Sequence, residues 1–386
     1  MINTFLFLGL IFILTFLIGN LIEKIRIPWI FASLIIGFFL AIYNPFEYIT
    51  SSSTFTFLAQ LGMYFLLFII GLEIDLRELK KSTKFIFGSA IFIILFEGLC
   101  GMFLLKFLFG LDWLISFLVG LSFATVGEAI LVPILDEFKL VNSELGQAII
   151  GIGTLDDLIE VFTLILVSIL IGSKIHQNIN IGLILISLFI LFSLTIGLRK
   201  LGEEGIKFKF HSIETLFLFT LFILFLFLGI GDYAEATPLA SLLAGIALKT
   251  FLPEKRLQLI ENEIKTICYG FFAPIFFLWV GVAMDIAYLL KYPLLVLLVI
   301  AITGGAKFLA SYIAGFKKFG RKNSILLGIG LSVRFSTSIV IIKILFDSNL
   351  INTALYSVIV ASTIIYTFLI PILFSNLLAR WQICSK

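Results

Sequence analysis

The sequence predicts an all-α polytopic membrane protein with thirteen transmembrane helices, and three observations carry that prediction. The first is composition, because 61% of the 386 residues are hydrophobic and only 13% are charged, whereas soluble domains are about 45–50% apolar and about 25% charged. The second is a series of apolar runs close to the length that crosses a bilayer. The third is the placement of the basic residues, which alternates from loop to loop.

The apolar runs predict spans over residues 3–22, 29–43, 56–74, 84–108, 113–136, 143–172, 181–200, 212–230, 235–250, 262–285, 292–316, 323–346 and 353–381. Spans 2 and 9 are short, which indicates tilted or incomplete helices. Span 1 has neither a basic n-region nor a cleavage pattern of small residues, so we expect it to remain as a helix rather than to act as a signal peptide.

The basic residues support this count and give an orientation. The loops after odd-numbered spans, together with the C-terminal tail, hold 21 of the 27 Lys and Arg. The loops on the other side hold Lys106, Lys174, Lys291 and Lys343. Because basic loops remain in the cytoplasm, the N-terminus is predicted outside and the C-terminus inside. Two basic residues, Lys307 and Arg334, fall near the middle of a span.

Other classes of site have little support. The three cysteines are scattered without CxxC pairing, and the two histidines lie far apart, so neither a disulfide framework nor a histidine metal site is predicted. No cofactor is expected. No basic tract with interleaved aromatics indicates nucleic acid.

An internal repeat of about 210 residues is visible in three places. The matching pairs are Ala32–Leu40 with Ala240–Leu248, Gly71 and Asp75 with Gly281 and Asp285, and Gly120–Ser122 with Gly330–Ser332. Spans 1–6 are therefore predicted to correspond to spans 8–13, with span 7 as a linker. A single linking helix makes the second copy enter the membrane from the opposite face, and inverted repeats of this kind are typical of secondary transporters.

Polar groups interrupt spans 5 and 12 at corresponding positions. Thr125 and Glu128 lie at the centre of span 5, and Arg334 and Ser336 at the centre of span 12. Clusters of Gly, Ser and Thr within apolar spans allow the backbone to unwind and line a polar cavity. Close helix packing by small residues is the alternative, but it accounts for neither Glu128 nor Arg334.

Span 6 contains Asp156, Asp157 and Glu160 in the segment GTLDDLIE, and span 11 contains Lys307. Each ionised acid at the bilayer centre costs about 2.5–3.5 kcal/mol, so some of them must be neutralised by a proton, a cation or a basic partner. Such carboxylates suit a proton-coupled cation carrier, and Lys307 is the natural basic partner. A buried Asp–Lys pair that only fixes helix register remains the alternative, although it requires one acid rather than three.

The segments GTLDD, GGAKFLASY and FFAPIFFLWVGVAMDI resemble the monovalent cation:proton antiporters of the NapA and KefC type, over essentially the whole chain. The resemblance implies the NhaA-like antiporter fold, with two inverted six-helix repeats and with spans 5 and 12 as crossed, unwound helices. The Asp-Asp pair with a span-11 Lys resembles the electrogenic sodium/proton branch. The electroneutral branch usually has Asn–Asp, and the potassium branch usually Gln–Asp.

The resemblance also implies residue roles. Asp157 would be the main ligand of the monovalent cation and of the proton, with Asp156 as a second ligand paired to Lys307, and Thr125 beside them. From the residues themselves we expect that a cation at Asp157 draws Asp156 away from Lys307. The lysine, left among apolar neighbours without its partner, would then release a second proton, so that transport is electrogenic.

The resemblance further implies a division of the chain. The dimerisation domain would comprise residues 1–83 and 206–290, the core ion-transport domain 84–174 and 291–386, and the linker helix 175–205. That division implies elevator-like alternating access in a homodimer within the lipid of the cytoplasmic membrane.

One departure from the family pattern matters. Relatives often have Arg-Gly-Glu in span 12, whereas this chain has Arg334-Phe335-Ser336, so we expect Glu128 of span 5 to pair with Arg334 in place of the missing acid. Glu97, the repeat mate of Lys307, and Glu160 are further acids whose roles stay open.

Sodium or lithium is the expected cation, and potassium exchange by the same fold is the alternative. A sensor of cations or pH that does not transport is a further alternative. A channel is disfavoured because no filter-like loop is visible. An intramembrane aspartyl protease is disfavoured because its two Asp residues lie on different helices facing one water, whereas Asp156 and Asp157 are adjacent on one helix. No enzymatic activity is expected.

Overall fold

The computed structural model describes residues 3–25, 27–74, 83–174, 181–203, 212–233, 236–334 and 336–381, and all regular structure within them is helical. The helices are α1 (Thr4–Glu23), α2 (Phe31–Ile42), α3 (Glu47–Thr50), α4 (Ser53–Glu73), α5 (Lys84–Phe109), α6 (Trp113–Phe123), α7 (Glu128–Glu137), α8 (Glu144–Lys174), α9 (Ile181–Glu203), α10 (Ile213–Tyr233), α11 (Thr237–Phe251), α12 (Glu254–Ile267), α13 (Ala273–Val282), α14 (Ile286–Lys291), α15 (Pro293–Leu331), α16 (Ser336–Asp347) and α17 (Thr353–Trp381). A π-helical turn, Cys268–Phe272, joins α12 to α13.

Seven helical segments of the described residues are long and apolar enough to cross a membrane. They are α1, α4, α5, α10, the continuous segment Glu254–Val282, α15 and α17. Three shorter helices, α2, α6 and α11, are also apolar. The all-helical structure expected from the sequence is therefore confirmed for the described residues, while the count of thirteen spans stays a prediction.

Several helices begin where the sequence supplies a capping side chain. The Asn3 carboxamide oxygen accepts the backbone N–H of Leu6 at 2.9 Å, and the Thr83 hydroxyl accepts that of Ile86 at 3.3 Å. These side chains satisfy N–H groups that have no partner within the first turn of a helix. At its other end α5 stops at Gly110, whose φ of 67° is easily adopted only by glycine.

The chain divides into two compact units. One comprises Met1–Pro45, Asp75–Thr163 and Val280–Lys386, and the other comprises Phe46–Ile74 and Leu164–Trp279. Every site residue predicted from the sequence belongs to the first unit. The division into a transport core and a dimerisation domain stays a prediction.

Glycines allow two pairs of helices to cross closely, and the two crossings involve corresponding residues of the repeat. Within the second unit, Gly71 of α4 packs against the backbone of α11 at Gly245. Within the first unit, Gly281 of α13 packs against the backbone of α2 at Gly37. Gly71 and Gly281 are repeat mates, and so are Gly37 and Gly245. The contact made by the first copy of one glycine with the second copy of the other is therefore repeated with the copies interchanged, as expected for two related repeats. The inverted repeat itself stays a prediction.

Gly71→Ala is expected to lower the thermal stability, because its Cβ would meet the Leu242 carbonyl oxygen and nearby α11 backbone rather than a flexible side chain. Overpacking of this kind costs about 1–3 kcal/mol. Gly88→Ala is the matched control, since Gly88 is also helical and nothing lies within 4 Å of an added Cβ. Unfolding monitored by intrinsic fluorescence in detergent should separate the two, and equal melting temperatures would show that the crossing tolerates a methyl group.

The loop predicted between spans 11 and 12 corresponds to a break in α15. At Gly320 φ is 72° and ψ is −179°, which is not helical, so Pro293–Leu331 consists of two helices joined at a kink. One detail of the sequence-based topology is wrong. Lys343, assigned to a loop, lies within α16, is buried, and forms an ion pair with Asp347 one turn later. Because its side chain is long and unbranched, a lysine continues a helix readily, and a single lysine is therefore a weak indication of a loop.

Candidate functional site

Two interruptions of helical structure meet in the first unit. The helix of span 5 stops at Phe123 and resumes as α7 at Glu128, and the helix of span 12 stops at Leu331 and resumes as α16 at Ser336. The backbone N–H of Gly127 donates to the carbonyl of Val333 at 2.8 Å and joins the two breaks. Non-helical backbone is tolerated at membrane depth only where protein or a polar cavity satisfies it.

Side chains satisfy other backbone groups of the breaks. The Lys307 ammonium donates to the Thr125 carbonyl at 2.8 Å, and the Thr367 hydroxyl donates to the Arg334 carbonyl at 2.9 Å. Lys307 thus places a positive charge just beyond the C-terminal end of α6, where the helix dipole favours one. The Asp156 carboxylate lies near the backbone N–H of Val126, just before the N-terminal end of α7, where the dipole favours a negative charge.

Glu97 of α5 lies between the two basic residues of the cluster. Its Oε2 is 3.3 Å from Nζ of Lys307, and its Oε1 is 3.0 Å from Nη2 of Arg334. Nη2 of Arg334 also donates to the Thr303 hydroxyl at 2.8 Å. Lys307 and Arg334 are each 1% exposed and Glu97 is 0% exposed, so all three charges are removed from solvent. One carboxylate between two cations leaves this triad with one net positive charge.

Aromatic rings hold the Arg334 guanidinium in place. Its central carbon is 4.4 Å from the centroid of the Tyr366 ring and 5.2 Å from that of Phe123. The Tyr366 hydroxyl is fixed in turn, because it donates to the Ile300 carbonyl at 2.6 Å. Such cation–π contacts stabilise a desolvated cation. Nε and Nη1 of Arg334 have no hydrogen-bond partner within the described part of the chain.

The acids of α8 are placed differently from Glu97. Asp156 is buried, and its Oδ2 has no hydrogen-bond partner among the described residues. Glu160, one turn further, is also buried and interacts with the Thr337 hydroxyl of α16. Asp157 is only half-buried. The helix therefore presents one carboxylate that is accessible and two that are sequestered, beside a triad of net positive charge.

The hydroxyl of Thr125 belongs to the same region. The residue is buried, its carbonyl accepts from Lys307, and its Oγ1 has no hydrogen-bond partner in the described residues. A free oxygen of this kind, together with unpartnered carboxylate oxygens, is the donor set that hard monovalent cations require.

The structure corrects one expected pairing. Among the described residues, Lys307 forms an ion pair with Glu97 and none with Asp156, so the predicted Asp156–Lys307 ion pair is wrong for this structure. Among the described residues, Glu97 is also the carboxylate that forms an ion pair with Arg334. The side chains of Glu128 and Ser336 lie outside the described part of the chain, so the proposed pairing of Glu128 is not examined by these contacts. Sequence analysis left Glu97 without a role, although its position as the repeat mate of Lys307 was a usable signal.

Comparison with known proteins gives the family. The profile of the family described as "Sodium/hydrogen exchanger, transmembrane" matches residues 10–380. The chain belongs to this family. Its members are membrane-embedded transporters that exchange cations and protons, not enzymes, and the resemblance inferred from the Asp-Asp motif and the span-11 lysine is confirmed at the level of the family.

Similar proteins carry related names. Probable Na(+)/H(+) antiporter 3 of Methanocaldococcus jannaschii is 29% identical over 97% of this chain and 95% of that protein. An Na(+)/H(+) antiporter of Enterococcus hirae is 25% identical over 95% of this chain and 96% of its own length. The potassium-efflux protein KefC of Escherichia coli is 25% identical over 65% of this chain and 41% of its own length.

A solved structure of the sodium proton antiporter MjNhaP1 from Methanocaldococcus jannaschii superimposes with a TM-score of 0.61. The match covers 97% of this chain and 96% of that chain at 20% sequence identity. At that level of identity the likeness establishes the fold, and the chemistry must be argued from the residues of this chain.

Proposed function

We propose that this protein exchanges sodium or lithium for protons across the cytoplasmic membrane, with Asp157 and Asp156 as the alternating ligands of cation and proton. The observation that carries the proposal is Oδ2 of Asp156, a buried oxygen without a hydrogen-bond partner among the described residues, close to the meeting point of two helix breaks and on the residue next to the half-buried Asp157. A buried carboxylate oxygen without a partner is costly, and either a proton or a cation removes that cost.

Competition between proton and cation for the same oxygens couples the two fluxes. A cation enters at Asp157, which is half-buried, and displaces the protons of the two carboxylates. The Thr125 hydroxyl oxygen supplies a neutral ligand beside them. The site can cross the apolar interior only when its carboxylates are neutralised by a cation or by protons. The empty, ionised site therefore does not cross, and the protein exchanges the two ions instead of letting either one pass alone.

The proposed architecture places this site in a moving core. Thirteen spans in two inverted repeats would put the breaks at the midplane, with the N-terminus outside and the C-terminus in the cytoplasm. Residues 84–174 and 291–386 would form the core, and residues 1–83 and 206–290 would dimerise. The core would rise and fall against its partner domain as an elevator. The reciprocal glycine contacts of the two repeats support this arrangement.

We further propose that transport is electrogenic, from the charges of the described side chains. The triad of Glu97, Lys307 and Arg334 carries one net positive charge. When Glu160 is protonated and a cation is bound between ionised Asp156 and Asp157, the net charge of the triad, the two aspartates and the cation is zero. When both aspartates are protonated and no cation is bound, the net charge of the same groups is one positive charge. Two protons would therefore exchange for one cation, and one net charge would cross per cycle.

The decisive experiment follows a pH-sensitive dye inside proteoliposomes, titrated separately with sodium, lithium and potassium. We expect sodium and lithium to move protons and potassium to be ineffective. Movement with potassium alone would assign the chain to potassium exchange, which the similarity to KefC supports. Absence of movement with every cation would favour a sensor and reject the proposed exchange.

Electrogenicity gives a second expected outcome. Wild-type exchange should produce a current on a solid-supported membrane, because the membrane potential contributes about 2.3 kcal/mol per charge per 100 mV. Asp156→Asn removes one proton carrier, so the same count of charges predicts slower exchange without net current. A potassium–valinomycin clamp serves as the control, and wild-type exchange that is indifferent to the clamp would contradict the two-proton stoichiometry.

A further inference from the structure

The position of Lys307 raises a question about the neighbouring acid. Its ammonium donates to the Thr125 carbonyl and forms its described ion pair with Glu97 of α5. Asp156 is close enough for its charge to interact with those of Lys307 and Glu97, yet it forms no ion pair with Lys307 in the described residues. One basic group therefore has two candidate acids nearby, and it is engaged with only one of them.

We propose that Glu97 is a positioning residue that holds Lys307 away from Asp156 and thereby keeps the carboxylates of α8 available to cations and protons. This inference rests on the proposed exchange function. Glu97 would thereby influence the affinity of the site for cations and the pH range in which the site works. It would do so without direct contact with the transported ion.

The geometry supports a role beyond stabilising a helix contact. Glu97 uses one oxygen for Lys307 and the other for Arg334, so neither basic group needs an acid of α8. Arg334 is also held by Thr303 and by the Tyr366 ring, which fixes it on the far side of Glu97. Among the described residues, the Lys307 ammonium has one partner besides Glu97, the backbone carbonyl of Thr125. It is therefore the member of the triad that would turn toward Asp156 if Glu97 lost its charge.

The charges that face the site determine the direction of the effect. Those described are Glu97 from α5, Asp156, Asp157 and Glu160 from α8, Lys307 from α15, and Arg334 from the break before α16. Removing the negative charge of Glu97 makes the surroundings of Asp156 more positive, and Lys307 becomes a competitor for its oxygens. Both the proton and the transported cation should then bind more weakly.

Glu97→Gln is the test, because glutamine has the same shape and can still accept a hydrogen bond from Arg334. At alkaline pH we expect the KM for sodium to rise by about tenfold, which corresponds to one pKa unit of altered interaction. Because protons also bind more weakly, the acid limb of the pH–activity profile should move to lower pH. A merely structural defect would lower the maximal rate or the yield and would leave both of these quantities unchanged.

Asp347→Asn is the matched control. Asp347 is the partner of Lys343, a second buried lysine in the same unit, and the pair is outside the charge cluster. Breaking this pair should lower the thermal stability while leaving the KM for sodium and the pH profile as in the wild type. An equal shift in Asp347→Asn would show that the effect is not specific to Glu97, and it would overturn the inference.

Glu97→Asp provides a second measurement if the glutamine variant does not fold. Its carboxylate is drawn back by one methylene, which lengthens the 3.3 Å contact with Lys307. The KM and the acid limb should shift in the same directions as in Glu97→Gln, by a smaller amount. Wild-type values of both quantities in either folded variant would overturn the inference. Wild-type vesicles that show no cation-dependent proton movement would instead reject the proposed function.

Discussion

Asp157→Asn is expected to abolish cation-dependent proton movement while leaving expression and thermal stability close to those of the wild type. The amide is nearly the size of the carboxylate, but it neither carries a proton across the membrane nor balances the charge of a cation. Asp157 is only half-buried, so the substitution does not leave a large unpaired group in the interior. Proton movement in proteoliposomes, with sodium titrated at several pH values, is the measurement.

Asp136→Asn is the matched control for this prediction, because Asp136 lies in the same unit near the end of α7 and is exposed. Exchange by Asp136→Asn should resemble that of the wild type. Near-normal exchange by purified Asp157→Asn would remove Asp157 from the central role and would transfer attention to Asp156 and Glu160 as carriers.

The interruptions of spans 5 and 12 could be predicted because their cause is local. Gly127, with serines and threonines in both segments, weakens a helix within an apolar run, and the structure has both breaks. The acids of α8 could likewise be selected, since three carboxylates in an apolar span are costly wherever they point. Local composition therefore located the site.

The partners of the basic residues could not be predicted in the same way. Lys307 has Asp156 and Glu97 as nearby acids, and only the position of α5 relative to α15 decides which of them lies within ion-pair distance. That position results from helix packing over long sequence separations. The close approach of α5 and α6 at Gly98, Gly101 and Gly120 contributes to it. No periodicity in the sequence encodes such a contact, and the ion pair of Arg334 with Glu97 was not predicted for the same reason.

The ion pair between Arg334 and Glu97 gives the largest expected effect on stability. Arg334→Ala leaves Glu97 with one basic partner, removes the hydrogen bond to Thr303, and deprives the rings of Tyr366 and Phe123 of the guanidinium between them. Removing one partner of a buried ion pair costs about 3–5 kcal/mol. We therefore expect a marked fall in the melting temperature of the purified protein in detergent.

Arg321→Ala is the control of the same chemical type, because Arg321 is exposed on α15, and surface substitutions change the stability by about 0.5 kcal/mol or less. A double-mutant cycle with Glu97→Ala isolates the pair. The double variant should lose less stability than the sum of the two single losses, with a coupling of about 0.5–3 kcal/mol, as found for groups in contact. The Lys307–Glu97 pair is broken in both Glu97→Ala and the double variant, so its loss cancels in the cycle. Strictly additive losses would show that Arg334 and Glu97 do not interact in the folded protein.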